Sequence, residues 1–204
     1  MDMMRRAVIT GRYAPGQALR EETLEAEYRV SRGPIREALR LLELRGLVTH
    51  APRRGFRVRT YTVKDIEDLY RMRALLERHA VECLRDAALD ALVERLEASN
   101  ARMATQLNKG NIEGYLAENV TFHTLVIDAS GNEPLKRTLN VLNEMAEPLR
   151  YALLSRNLKK GRSLADHRRI TELLRSGRID VAASTTEAHI LDNLPALLAL
   201  ADKL

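Results

Sequence analysis

The chain has 204 residues, 45% hydrophobic and 30% charged, with a formal net charge of +5. Aromatic residues make up only 4% and tryptophan is absent, so leucine, alanine and valine must fill any core, which favours helices. The single cysteine excludes an internal disulfide framework, and no run approaches the ~20 apolar residues of a membrane span or the apolar stretch of a signal peptide; a cytoplasmic protein with no membrane partner is expected.

The positive charge is concentrated. Residues 1–60 hold thirteen arginines, no lysine and seven acidic residues, a net of +6, whereas the remainder carries 20 basic and 21 acidic residues. Such an excess is the electrostatic footprint of polyanion binding. A membrane-surface helix would use the same charge but would have to expose apolar residues that are needed here for a core.

In chain order, an opening helical stretch MDMMRRAVITGRY leads to residues 30–47, VSRGPIREALRLLELRGL, which read as the second helix of a helix-turn-helix. Ser31 stands at a helix start as a cap, Pro34 occupies a first-turn position where no amide is lost, and apolar residues then recur with helical period. Ile35, Ala38, Leu39 and Leu42 share one face, while Arg32, Arg36 and Arg40 form a stripe beside it. Three arginines alone are also what any solvated helix face carries. After Gly46, however, Leu47–His50 and Phe56–Arg59 form a hairpin pattern around Pro52, Arg53, Arg54 and Gly55. A basic hairpin directly after such a helix reads as the wing of a winged helix, able to reach a DNA groove or its backbone.

The run PGQALREETLEAEYRVSRGPIREALRLLELRGLVTHAPRRGFRV resembles the DNA-binding domain of GntR-type bacterial transcription regulators, with PG-x-x-L, VSR-x-P-[VI]-REAL, GL and RRG-[FY]-x-V in order. The resemblance implies DNA contacts from Ser31, Arg32, Gly33 and Arg36 on the recognition helix and from Arg53, Arg54 and Gly55 on the wing. It gives Glu37 either a contact or a role in holding arginine side chains. The opening helix is shorter than the family usually shows.

Tyr61-Thr62-Val63 reads as a linker between residues 1–60 and 64–204. Helices are predicted at about 64–86, 88–108, 111–130, 133–158, 163–176 and 179–202, punctuated by Gly110, Gly131, Gly161 and Gly177. Nothing in this stretch reads as a strand, so a mainly α protein is expected, an N-terminal winged helix-turn-helix followed by an all-helical bundle. Cys83, at an apolar-rich helical position, is expected as a small core residue.

Three histidines point inward by helical position. Asn119 and His123 are four apart on a face with Leu116, Val126 and Ile127. His167 shares its face with Leu164, Ile170, Thr171 and Leu174. His189 lies with Ala182, Thr185, Thr186 and Asn193, small and polar residues that suggest a cavity wall. A buried imidazole must be hydrogen-bonded or ligated, and one inward histidine is commonly a satisfied core residue; three on separate helices also suit a divalent transition metal, zinc or nickel. His79 falls off the apolar face and is expected in solvent, and His50 lies in the wing. Arg73 shares its face with Ile66, Leu69, Leu76, Ala80 and Leu84, and a buried arginine needs an anion. That anion is either Glu77, one turn on, or the carboxylate of a bound effector.

Residues 64–204 resemble the FCD ligand-binding domain of the FadR-type branch of the same family, through DLYRMRALLE, NVTFHTLVIDASGN, DHRRITELLRSG and AHILDNL. The resemblance implies a metal held by an Asp-x-x-x-His pair and two later histidines, which fall here on Asn119, His123, His167 and His189. Asn119 departs from the usual aspartate and brings no charge, which lowers metal affinity. It also implies small organic acids as effectors, for which Arg73, Thr185 and Asn193 are the candidate contacts.

Together these readings describe a homodimeric, ligand-controlled repressor on a palindromic operator. Arg32 and Arg36 would read base edges while Arg40, Arg53 and Arg54 position the backbone. The competing readings are a metal-dependent hydrolase or lyase built on the histidines and an architectural DNA-binding protein with a merely structural bundle.

Overall fold

The computed structural model describes residues 1–85, 89–157 and 161–201. The helix ends expected at 86, 88, 158 and 202 lie outside them. The protein is mainly helical, with a small sheet near the N-terminus.

The N-terminal unit consists of α1 (Asp2–Ile9), β1 (Ala18–Leu19), α2 (Glu21–Tyr28), α3 (Arg32–Leu44), β2 (Val48–Ala51) and β3 (Gly55–Val58). Its core joins Leu24 of α2, Ile35, Leu39 and Leu42 of α3, and Val48, Phe56 and Val58 of the sheet. The period that placed Ile35, Ala38, Leu39 and Leu42 on one face thus buries all four. Ser31 occupies the N-cap position with extended backbone, but its hydroxyl makes no capping bond, so the sequence signal marked the helix start without the bond that usually motivates it. The wing hairpin pairs Val48 with Val58 and Ala51 with Gly55. The two-residue strand β1, not anticipated from the sequence, pairs Leu19 with Phe56 and gives the sheet order β1-β3-β2.

Gly46 ends α3 at φ +71°, and the amide of Leu47 returns to the carbonyl of Leu42 at 3.0 Å. A Cβ there would also stand 2.5 Å from Cγ of Met145 in the following domain. Glycine is therefore needed twice over, for the turn and for the close approach.

Among the described residues seven helices follow: α4 (Val63–Glu82), α5 (Asp90–Asn108), α6 (Ile112–Ala129), α7 (Glu133–Asn157), α8 (Arg162–Arg175), α9 (Ile179–Leu191) and α10 (Leu194–Leu198). Thr62 starts α4 with a reciprocal capping box to Asp65. The helix expected at 179–202 is broken after Leu191. Pro195 has no amide to donate to the Leu191 carbonyl and its ring would crowd it, so the chain restarts as α10. Cys83 is half-buried at the α4 C-cap with Sγ 3.7 Å from Nε2 of His79, a boundary position and not the core position expected of it. Among the described residues, three apolar clusters build the bundle, the smallest joining Ala80 of α4, Ile127 of α6 and Leu135 and Leu139 of α7. Leu96, Met103, Phe122, Ile170 and Leu174 unite α5, α6 and α8, whereas Ile66, Tyr70, Leu149, Ile190 and Leu197 unite α4, α7, α9 and α10. The inward polar residues lie where these clusters meet.

Candidate metal centre and nucleic-acid interface

His123 on α6, His167 on α8 and His189 on α9 converge, and one ring nitrogen from each lies within 4.8 Å of the others. All three are buried, and Phe122 stacks on His167 with ring centroids 4.1 Å apart. Nδ1 of His123 lies 2.6 Å from Oε2 of Glu77, and Nδ1 of His189 lies 3.1 Å from Oδ2 of Asp166. Each carboxylate favours a proton on Nδ1 and leaves Nε2 free as a lone-pair donor toward the centre, the arrangement that orients metal-binding imidazoles. Nε2 of His167 is 3.0 Å from Nε2 of His189, and its buried Nδ1 has no hydrogen-bond partner among the described residues.

Burial pushes His167 well below the ordinary imidazole range, and the neighbouring His189 and His123 push the same way. Burial also lowers His123, with Glu77 partly opposing it. Both rings are thus neutral at pH 7, the form that ligates a metal. Burial by itself would raise Glu77, but the attraction of the groups around it holds its carboxyl far below the usual range. His123, whose Nδ1–H donates to it, and the guanidinium groups of Arg73 and Arg150 supply that attraction.

Two buried arginines complete the site. Arg73 donates from Nη2 to Oε1 of Glu77 and from Nε to Oδ1 of Asn143, both at 2.8 Å. Glu77 is therefore at once the partner of Arg73 and the orienting group of His123, a double role that helical spacing alone does not reveal. Arg150 on α7 donates from Nη2 to the Asn143 carbonyl at 2.9 Å and from Nη1 to Oδ1 of Asn119 at 3.3 Å. Desolvation, and then Arg73, bring Arg150 down to about 10, so it stays charged. Arg150 was not singled out in the sequence, although its spacing from buried Ala146, Leu149 and Leu153 marks an inward position.

The residue set fits a borderline transition ion: three buried imidazoles whose ring nitrogens converge, two of them backed by carboxylates. Asn119 contributes differently from the expectation. Its side-chain oxygen is turned to Arg150, because a buried guanidinium with few acceptors takes the nearest amide oxygen. A cavity of about 40 Å³ among Arg73, Asn119, His123, Arg150, His189 and Asn193 opens beside the cluster. It shares Leu153, Leu154, Ser163, His189 and Asn193 with a cavity of about 180 Å³ bounded by Tyr115, Arg162 and Asp166. The two together form a route toward the imidazoles. Asn193 lines both, but Thr185 lines neither; its hydroxyl donates back to the Val181 carbonyl at 2.7 Å on its own helix. His79 is exposed beside Glu82, and His50 packs against Phe56 with ring centroids 4.6 Å apart, so neither joins the cluster.

On the N-terminal unit, Ser31, Arg32, Gly33, Arg36 and Arg40 are exposed along one side of α3, and Arg53, Arg54 and Gly55 are exposed at the hairpin tip. Arg32 donates to Glu25 at 3.0 Å and lies 3.4 Å from both Glu21 and Glu22, while Arg36 stands 3.8 Å from Glu21. Arg40, Arg53 and Arg54 have no ion pair among the described residues. Arg53 adopts φ +64° and Gly55 φ +70°, the left-handed backbone that turns the tip.

The description "Bacterial regulatory proteins, gntR family" matches residues 1–58 and "FCD domain" matches residues 68–192. The chain belongs to the GntR family of FCD-domain regulators. Among its relatives, the HTH-type transcriptional regulator YdhC of Bacillus subtilis is 31% identical over 92% of this chain and 84% of its own. The Nta operon transcriptional regulator of Aminobacter aminovorans is 30% identical over 91% of this chain and 87% of its own. The gluconate operon transcriptional repressor of Bacillus subtilis is 28% identical over 83% and 68%. In fold, it is similar to a GntR transcriptional regulator from Rhodococcus sp. RHA1, with TM-score 0.80, 22% identity and coverage of 97% and 95%. Escherichia coli McbR/YncC aligns with TM-score 0.81, 18% identity and coverage of 96% and 93%. This GntR-family chain is accordingly a DNA-binding transcription regulator, with a winged helix-turn-helix and a helical domain. No helix among the described residues is long and apolar enough to cross a membrane.

Proposed function

We propose that this regulator is a repressor controlled by a small organic acid, and that a divalent transition ion, zinc or nickel, sits among His123, His167 and His189. The observation that carries the reading is the convergence of three buried imidazole donors, two of them held by Glu77 and Asp166. Such an ion would act as a Lewis-acid anchor for a carboxylate. Arg73, Arg150 and Asn193, lining the adjoining cavity, supply the charge and hydrogen bonds that orient the acid and keep it beside the cluster. Asn119, engaged by Arg150, serves as a weak fourth donor. The reading is non-catalytic: Glu77 and Asp166 are committed to Nδ1 of their histidines, which does not suit either to the work of a general base.

Residues 1–60 act as the DNA-binding unit and 64–204 as the effector unit, joined at 61–63, in a cytoplasmic homodimer on a palindromic operator. Dimerisation is supported by an apolar patch, with Met72 and Leu75 exposed on α4 and Val141 on α7, and with Met72 and Leu142 bordering the same groove. Arg32, Arg36 and Ser31 face base edges and the adjacent backbone, with Gly33 allowing close approach, while Arg40, Arg53, Arg54 and Gly55 position the duplex. Coupling between the units is supported by one stretch of α7. Asn143 holds both buried arginines, whereas Glu144 holds Arg45 at the end of α3 at 3.0 Å and Glu147 holds Arg5 of α1 at 2.5–2.6 Å.

The test is elemental analysis of protein purified without chelator. About one transition ion per chain, absent from a His123→Ala/His167→Ala variant, supports the metal reading, and no metal in either overturns it. Operator affinity titrated with small hydroxy and sugar acids then tests the effector reading, which fails if none changes it.

A further inference from the structure

A separate cavity of about 280 Å³ lies between the two units. Residues 8–11 and 13–15 wall it from the end of α1 and the following turn, Leu47, Val58, Arg59 and Tyr61 from the base of the wing and the linker, and Pro148, Leu149, Tyr151, Ala152 and Ser155 from α7. It is several times larger than the 40 Å³ space beside the imidazoles. Its wall is mostly apolar and aromatic, including Val8, Leu47 and Leu149 with Tyr13, Tyr61 and Tyr151. Among the described residues lining it, Arg59 alone is charged.

The Arg59 guanidinium donates to the Gly46 carbonyl at 3.4 Å, lies 5.7 Å from the Tyr61 ring centre and is near enough to Asp65 to help lower that carboxyl, but it forms no salt bridge among the described residues. A space lined by valine, leucine and proline side chains forgoes dispersion contacts when it holds only water. Pockets of this size and composition at domain junctions are where small ligands bind.

We propose that this cavity is a second effector site for an apolar aromatic monocarboxylate, independent of the histidine cluster. Arg59 takes the carboxylate, while Tyr13, Tyr61 and Leu149 enclose the ring. Because its walls come from both units, the ligand's affinity depends on how they are placed, and occupancy therefore shifts operator affinity. Pro148 lies in the same wall, within α7, where it offers no amide to the carbonyl of Glu144, the residue that holds Arg45.

The probes are benzoate and 1-naphthoate, with uncharged 1-naphthalenemethanol as the control, titrated into the full chain by calorimetry. The expected result is saturable binding of one naphthoate per chain that persists in His123→Ala/His167→Ala and is lost in Ala152→Trp, which fills the space. Arg59→Gln, which leaves the wall's packing in place, should weaken naphthoate by about tenfold or more while leaving the alcohol unchanged. Absence of saturable binding to the wild type overturns the proposal. So does naphthoate binding that Arg59→Gln leaves unchanged, or that disappears in the double-histidine variant while surviving Ala152→Trp.

Discussion

The arginines of α3 and the arginines of the bundle do opposite things with the same side chain. Arg36, Arg40, Arg53 and Arg54 stand in solvent, where a charge costs little and remains available to a polyanion. Arg73 and Arg150 are 2% and 8% exposed, and are tolerable only because Glu77, Asn143 and Asn119 meet them. On the first surface a substitution subtracts one interaction. In the bundle it leaves other charges stranded.

The largest expected effect tests that contrast directly. Among the described residues Glu77 is the one carboxylate bonded to Arg73, so Glu77→Ala unseats both Arg73 and His123 and should destabilise the fold by about 3–5 kcal/mol, the usual cost of breaking a buried pair. The readout is the urea midpoint at unchanged slope, and a loss under about 1 kcal/mol would show that water reaches the two guanidinium groups. On the DNA side, Arg36→Ala should cost about 1–3 kcal/mol on the operator and relax base preference, with little change in stability. Arg54→Ala should weaken all sequences alike and flatten the salt dependence; the reverse pattern would exchange their roles.

A subtler contrast is in pH. His123 and His167 are depressed in the folded state, so the unfolded chain binds protons first as pH falls. Their contribution is complete above the unfolded value of about 6.5 and is lost as pH drops through that value toward the folded ones. Glu77, also depressed, begins to lose its contribution as pH falls into the ordinary carboxylate range and goes on losing it below. Denaturation measured between pH 7.5 and 5 should therefore show declining stability, with a shallower decline in the double-histidine variant; equal slopes would place the titration elsewhere. Smallest is Glu144→Gln, which frees the half-exposed Arg45. It should alter folding by no more than about 1 kcal/mol, so a change in how strongly an acid shifts operator affinity would report coupling through α7.

The histidine triad was legible because each ring shares a helical face with buried apolar residues, and that periodicity survives in the structure. The carboxylates behind the rings were not, since Glu77 and Asp166 serve histidines on other helices, 46 and 23 residues away. Asn119 illustrates the limit from the other side. Its position on the inward face was readable, but what its amide oxygen meets depended on Arg150, 31 residues further on. Thr185 shared the right sector of a helical wheel yet lines no part of either cavity at the imidazoles, because a wheel assigns a direction and not a neighbour.

Sequence by itself determined the family, the helix and wing that carry exposed arginines, and the three inward imidazoles, all written in local spacing and in the imbalance of charge between the two parts of the chain. Tertiary structure decided which carboxylate orients which ring, that a second arginine enters the site, that 179–202 breaks at Pro195, and that a cavity opens between the units. Those outcomes follow from packing distant helices together, where desolvation forces each buried charge to find whatever partner the fold brings within reach.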